Sequence, residues 1–195
     1  MSVYDNDKSN VKITGSLEAD SIKNSGDNVI INALDGKDTI NNSGNSVTIL
    51  GGDAKDTVKN SGENVSVNGG TSGDSIRNEA AGINSTLNGD WGEDTIDNSA
   101  SNVTIIGGLG NDNFDNDGAQ VSIFGGEGED TIDNDGKSST LLGGAGEDSI
   151  CNNGASVSVD GGDDNDRIEN KGNQVTLSGG AGSDDIRNGY YNLYW

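Results

Sequence analysis

Apolar residues are sparse along this chain, yet they recur in register every 18 positions. One stripe runs through Ile22, Ile40, Val58, Ile76, Ile96, Phe114, Ile132, Ile150, Ile168 and Ile186. A second holds Val11, Val29, Val47, Val65, Val103, Val121, Val157 and Val175, with Ser85 and Ser139 as departures. The third holds Ile13, Ile31, Ile49, Val67, Leu87, Ile105, Ile123, Leu141, Val159 and Leu177. Small polar residues alternate with them, which is the pattern of a half-buried strand. Each repeat therefore carries two short strands, D-x-U-x-N (U is Ile, Val or Phe) and V-x-U, separated by glycine-rich turns. A unit this short cannot bury its own apolar face, so copies must stack.

The expected fold is all-β: a parallel, right-handed β-solenoid (a β-roll or β-helix) of about ten 18-residue coils forming a single repeat domain over residues 1–195. The coils are expected at 15–32, 33–50, 51–68 and 69–88, then every 18 residues to the last position. The 69–88 coil is longer by two residues within Glu79-Ala80-Ala81-Gly82, an insertion of the kind solenoids accept on one face.

Two polar columns share this period. Aspartate falls at Asp20, Asp38, Asp56, Asp74, Asp94, Asp112, Asp130, Asp148, Asp166 and Asp184. Asparagine follows four residues later each time, from Asn24 and Asn42 to Asn170 and Asn188. Strands about 4.8 Å apart would let side-chain amides hydrogen-bond up and down the stack. Asparagine also suits turns, but its presence after every one of these aspartates exceeds a turn preference.

Composition sharpens the reading. The chain has 195 residues, 32 glycines, no proline, no histidine, one cysteine and a formal charge of −22. Such acidity argues against nucleic acid as a partner. No apolar run is long enough to insert in a membrane. Without histidine the usual base near neutral pH is missing, so an enzyme is not expected. Cys151 has no partner for a disulfide within the chain and falls beside Ile150, on the outside.

The turn before each aspartate reads GGLGND at 107–112, GGEGED at 125–130, GGAGED at 143–148 and GGAGSD at 179–184. It resembles the RTX (hemolysin-type) nonapeptide G-G-x-G-x-D-x-U-x, and the resemblance covers about half of every coil. It implies Ca²⁺ held between successive loops by the ten aspartates and by backbone carbonyls. The glycines implied are Gly51, Gly69, Gly89, Gly107, Gly110, Gly125, Gly128, Gly143, Gly146, Gly161, Gly179 and Gly182. Calcium takes 6–8 oxygens, and a cation would relieve repulsion between stacked carboxylates. Ten loops leave nine gaps; nine ions would take −22 to −4, since −22 + 18 = −4. Some loops depart from the motif, among them GSLEAD at 15–20, ALDGKD at 33–38 and GGDAKD at 51–56, and weaker sites are expected there. The other turn of each coil lacks G-x-D, so the ions are expected in one file along one edge, unlike the two-sided pattern of that family.

The repeat register reaches both ends: Tyr4 and Asn6 fall on their columns, as do Leu193 and Trp195. Tyr190, Tyr191, Tyr194 and Trp195 crowd the last six residues. Unlike ends that meet head to tail form an open fibre rather than a closed ring. The expected function is thus a calcium-binding structural protein, the subunit of an extracellular homo-oligomeric filament. Its junction would join the Tyr4 end to the Tyr190–Trp195 end, with a tenth Ca²⁺ between Asp184 and Asp20 of the next copy. No N-terminal signal peptide is apparent, and the resemblance implies type I secretion. Two alternatives are a standalone or excised calcium-binding module of an adhesin, and an ice-binding surface on the hydroxyl row Thr48, Ser66, Thr86, Thr104, Ser122, Thr140, Ser158 and Thr176.

Overall fold

The computed structural model describes residues 1–189. Those residues form 21 strands and no helix, so no helix is long and apolar enough to cross a membrane. The strands make two parallel sheets that run the length of the stack, one of eleven strands and one of ten. Successive strands of the chain alternate between the sheets, so each coil contributes one strand to each. Pairing joins equivalent residues of neighbouring coils, as in Ile96↔Phe114 and Ile105↔Ile123. The chain is a parallel β-solenoid of stacked coils, as its 18-residue period predicts.

The three stripes meet between the sheets as one core. Ile22 to Ile168, Val29 to Val157 and Ile31 to Val159 are buried, with Phe114 the largest of them. Tyr4, Val11, Val175 and Leu177 pack on its ends. The serine departures are satisfied where they stand: Ser85 and Ser139 hydroxyls accept the amides of Val65 (3.2 Å) and Val121 (3.3 Å).

The eleven-stranded sheet carries the D-x-U-x-N pieces, for example Thr95–Asn98 and Thr131–Asn134. Strands of the second sheet are longer than the V-x-U pattern suggests. Ser122–Glu127 and Thr140–Ala145 run straight through the double glycine. From the second loop on, the turn is therefore shorter than the sequence suggests: only two residues and the aspartate itself lie between the strands, as with Gly128, Glu129 and Asp130.

Insertion and compensation are visible at one place. The extra residues close a small turn through Gly82 N–H to the Glu79 carbonyl (2.7 Å). In the next coil Ala100 takes a position that is glycine in the coils beyond it, such as Gly118 and Gly136. A methyl at Gly118 or Gly136 would strike the carbonyl of the coil beneath. Ala100 is nonetheless fully buried in the core, directly after the bulged coil, so the wider turn below makes room for it.

Candidate metal centre

Asp and Asn of each D-x-U-x-N strand point inward at opposite ends of the strand, separated by the apolar stripe. Period-two alternation forces this, because residues 1, 3 and 5 of a strand share a face. The solenoid thus has an aspartate edge and an asparagine edge. The asparagine edge is closed by its own chemistry. Asn24 Nδ2 donates to Asn42 Oδ1 at 2.8 Å and to the Gly26 carbonyl at 2.9 Å. Its Oδ1 accepts from Asn6 Nδ2 (2.6 Å) and from the Gly26 amide (3.2 Å). Two donors and two acceptor sites are all used. The same amide ladder runs on from Asn42 to Asn188.

The aspartate edge is half closed. Each carboxylate Oδ1 accepts the backbone amide of the equivalent aspartate one coil earlier, as in Asp94 N–H to Asp112 Oδ1 and Asp112 N–H to Asp130 Oδ1, both 2.8 Å. This bond runs from Asp20 to Asp184 and was not legible as a motif. Oδ2 is different. In Asp38, Asp56, Asp74, Asp94, Asp112, Asp130, Asp148 and Asp166 it is buried with no hydrogen-bond partner. An orphaned, buried carboxylate oxygen is costly unless a cation or proton meets it.

The glycines explain how the carboxylate fits. Gly107, Gly125, Gly143 and Gly161 occupy inward strand positions, where a methyl would overlap the Oδ2 of the loop's own aspartate and a carbonyl of the next coil. Gly51, Gly69, Gly89 and Gly179 likewise lie against the Oδ2 of Asp56, Asp74, Asp94 and Asp184. These eight glycines serve first as the space the carboxylates fill. Gly110, Gly128, Gly146 and Gly182 stand instead at the outer turn with φ of 122–147°, a region that excludes most side chains. In three of them the amide ties one coil to the next, as in Gly110 N–H to the Glu127 carbonyl (2.8 Å). The loops that lack a glycine keep the backbone: Ala54, Ser72 and Asp164 adopt φ of 72–80° at the matching places, and Leu34 and Asp90 adopt φ of 80–81° where neighbouring coils have Gly52 and Gly108.

Protonation reflects the same asymmetry. Burial and repulsion from stacked neighbours push the Asp56, Asp74, Asp112 and Asp148 carboxyls up to about 7, against the lowering effect of the amide each accepts. Asp38, Asp94, Asp130 and Asp166 are raised for the same first cause. Asp20 is the exception. Burial raises it too, but hydrogen bonds from Ser16 and Ser2 outweigh burial and hold it below the usual value. Ser16 donates its amide to Asp20 Oδ2 at 2.6 Å and sets its hydroxyl 3.0 Å from both oxygens. The departure GSLEAD is therefore a different solution, in which a serine supplies the missing donors.

A cation that replaced those donors would take Oδ2 of one coil together with loop carbonyls. Among the described residues no three acidic, cysteine or histidine side chains converge on one point, so carboxylates alone do not form a cage. The hard, orphaned carboxylate oxygens fit Ca²⁺ chemistry, and backbone carbonyls would have to make up the remaining ligands.

Ser2–Asn6 pairs with Asp20–Asn24, placing Ser2 opposite Asp20. The Ser2 amide donates to Asp20 Oδ1 at 2.9 Å. A strand of the same chain therefore covers Asp20 on the side away from Asp38. Tyr190, Tyr191, Leu193, Tyr194 and Trp195 lie outside the described residues. Cys151 is free and half-buried on the outer face of its strand.

No known protein family, curated protein or solved structure matches the chain. What fold and site together define is a parallel β-solenoid with one self-sufficient polar edge and one edge of unsatisfied carboxylates.

Proposed function

We propose that this protein is a calcium-binding structural repeat protein whose coils are held along the aspartate edge by a single file of Ca²⁺. The observation that carries this reading is the row of buried Oδ2 atoms without partners from Asp38 to Asp166. Ca²⁺ would neutralise adjacent carboxylates and supply the positive partner that burial demands. Such a site does not exist in the unfolded chain, so binding and folding are one event. With low calcium the chain, at −22, repels itself; with high calcium, as outside cells, it folds. An extracellular scaffold follows from that switch.

The same reading extends to assembly. Among the described residues, the outer side of Ser2–Asn6 and of Lys12–Thr14, the first strand of each sheet, is unpaired. Met1, Val3 and Leu17 are exposed apolar residues beside that edge. A bare strand edge is a template for pairing with another chain. We therefore propose end-to-end stacking of copies into a filament.

Protons offer a second way to satisfy the row, since four of the carboxyls are held up to about 7. Isothermal titration with calcium at pH 8, followed by electron microscopy in calcium and in chelator, separates the readings. Several ions per chain and fibres that vanish in chelator support the proposal. No heat of binding rejects the metal. Uptake of calcium by discrete rods keeps the metal and rejects the filament.

A further inference from the structure

The outer face of the eleven-stranded sheet carries two columns of side chains. One is small and hydroxylic through much of its length, including Thr39, Thr57, Ser75, Thr95 and Thr131, and ends in Arg167 and Asp185. The second column is charged. Its register passes from Lys23 through Asn41, Lys59 and Arg77 to Asp97. It continues through Asp115, Asp133, Cys151 and Glu169 to Arg187. Asp5, paired with Lys23, begins it.

Asp97 sits on the middle strand, with five strands on either side. Counting outward from it, every charged residue meets a residue of opposite sign at the same distance on the other side. One step out are Arg77 and Asp115, and two steps out are Lys59 and Asp133. Three steps out are neutral Asn41 and Cys151. Four steps out stand Lys23 and Glu169, and five steps out Asp5 and Arg187.

We infer that this face is an interaction surface for a second copy of the same chain, docked with its coils in reverse order about a two-fold axis that lies in the interface over the Thr95–Asn98 strand. That axis runs along the strand direction. It keeps the charged column facing the charged column and reverses the order of coils. Four of the five steps out from Asp97 then meet their opposite, in four kinds of ion pair, each made twice; the third step is neutral, and Asp97 on the axis faces the partner's Asp97, a like-charge contact that the eight ion pairs outnumber. A contact of this type is isologous and closes at two copies. It is independent of the calcium and filament readings, because it uses the sides of the coils and none of the residues of the aspartate edge.

Local electrostatics favour the exchange. Asp97, Asp115 and Asp133 stand on adjacent strands, with Asp117 and Asp135 beside them at the turn. Burial, and then repulsion by these neighbours, holds the Asp115 carboxyl above its usual range. The partner's Arg77 and Lys59 would arrive at this acidic end. Within one chain Lys59 meets Glu79 at 2.8 Å and Arg77 meets Asp97 at 3.7 Å, both pairs exposed. Exposed pairs of this kind are weakly held and free to rearrange. A contact built this way is salt-sensitive.

Complementary variants test it. Lys59→Asp with Arg77→Asp makes the middle of the column acidic from 59 to 133, and Asp115→Lys with Asp133→Lys makes it basic there except for Asp97. Each alone should sediment as a monomer in low salt, and an equimolar mixture should recover twice the 19.9 kDa chain mass. The wild type should dimerise in low salt and dissociate in high salt. Register is read separately from Asn41→Cys, which the two-fold places opposite the partner's Cys151. A short bismaleimide should link this variant into covalent dimers and leave the wild type unlinked, an outcome that end-to-end stacking does not produce. A wild type that is monomeric at every salt concentration, a mixture that stays monomeric, or an unlinked Asn41→Cys overturns the proposal.

Discussion

The two edges of this solenoid are built from nearly the same atoms and reach opposite ends. Asn116 and Asp112 lie on one coil, four residues apart, both buried and stacked on copies of themselves. An amide has a donor and an acceptor, so a column of amides satisfies itself: Asn116 donates to Asn134 at 2.7 Å and to the Gly118 carbonyl at 2.9 Å. A carboxylate has acceptors only. One oxygen of Asp112 takes a backbone amide, and the other has nothing. The asparagine edge is structural and complete in itself, whereas the aspartate edge is complete only with something added. Asp20 makes the point within its own column, since Ser16 brings the donors that the later loops lack.

Exchanging the two chemistries should break the comparison most sharply. Asn134→Asp puts a charge into a closed ladder and sets an oxygen against Asn152 Oδ1 and the Gly136 carbonyl, which Asn134 Nδ2 donates to. The expected loss is about 3–5 kcal/mol, measured by chemical denaturation at pH 8. Gly125→Ala fills the space that Asp130 Oδ2 occupies; it should cost about 1–3 kcal/mol and weaken calcium uptake measured by titration. Asp112→Asn is the converse exchange. It keeps the acceptor for the Asp94 amide and offers a donor where Oδ2 had no partner, so in chelator it should raise the Tm, while the Tm gain from calcium shrinks.

Proton linkage sharpens the contrast further. Groups whose folded pKa is raised, here to about 7 from 3.8, contribute stability that is whole below about 3.8 and lost as pH rises through about 7. In chelator, denaturation midpoints should therefore be higher at pH 5 than at pH 8. Calcium bound at the same oxygens would compete with those protons, so on this proposal its stabilising effect should be larger at pH 8. The smallest effect is expected at the exception: Ser16→Ala removes one hydroxyl from Asp20 but keeps the amide bond, costing about 0.5–1.5 kcal/mol by the same assay.

Much of this was legible along the chain because a period fixes register. Stripe residues such as Ile96 and Leu141, the asparagine ladder and the inward-facing aspartates all follow from stacking equal repeats. Glycine hid the rest. Gly107 and Gly125 read as turn residues, yet they are inward strand positions left empty for a carboxylate. The amide bond from Asp94 to Asp112 leaves no trace in residue type, since every residue there has an N–H to give. Ser16 looked like damage to a glycine motif and is a replacement for it. The symmetry of the charged column about Asp97 needs the strand count of the sheet before it can be seen.

The central claim is that the aspartate edge is unfinished without a cation. Thermal unfolding followed by circular dichroism at pH 8, in millimolar calcium and in chelator, tests it most directly. The account expects a cooperative β-sheet transition in calcium and a large drop in Tm, or loss of the transition, in chelator. The same Tm in both would contradict it and leave the carboxylate row to protons.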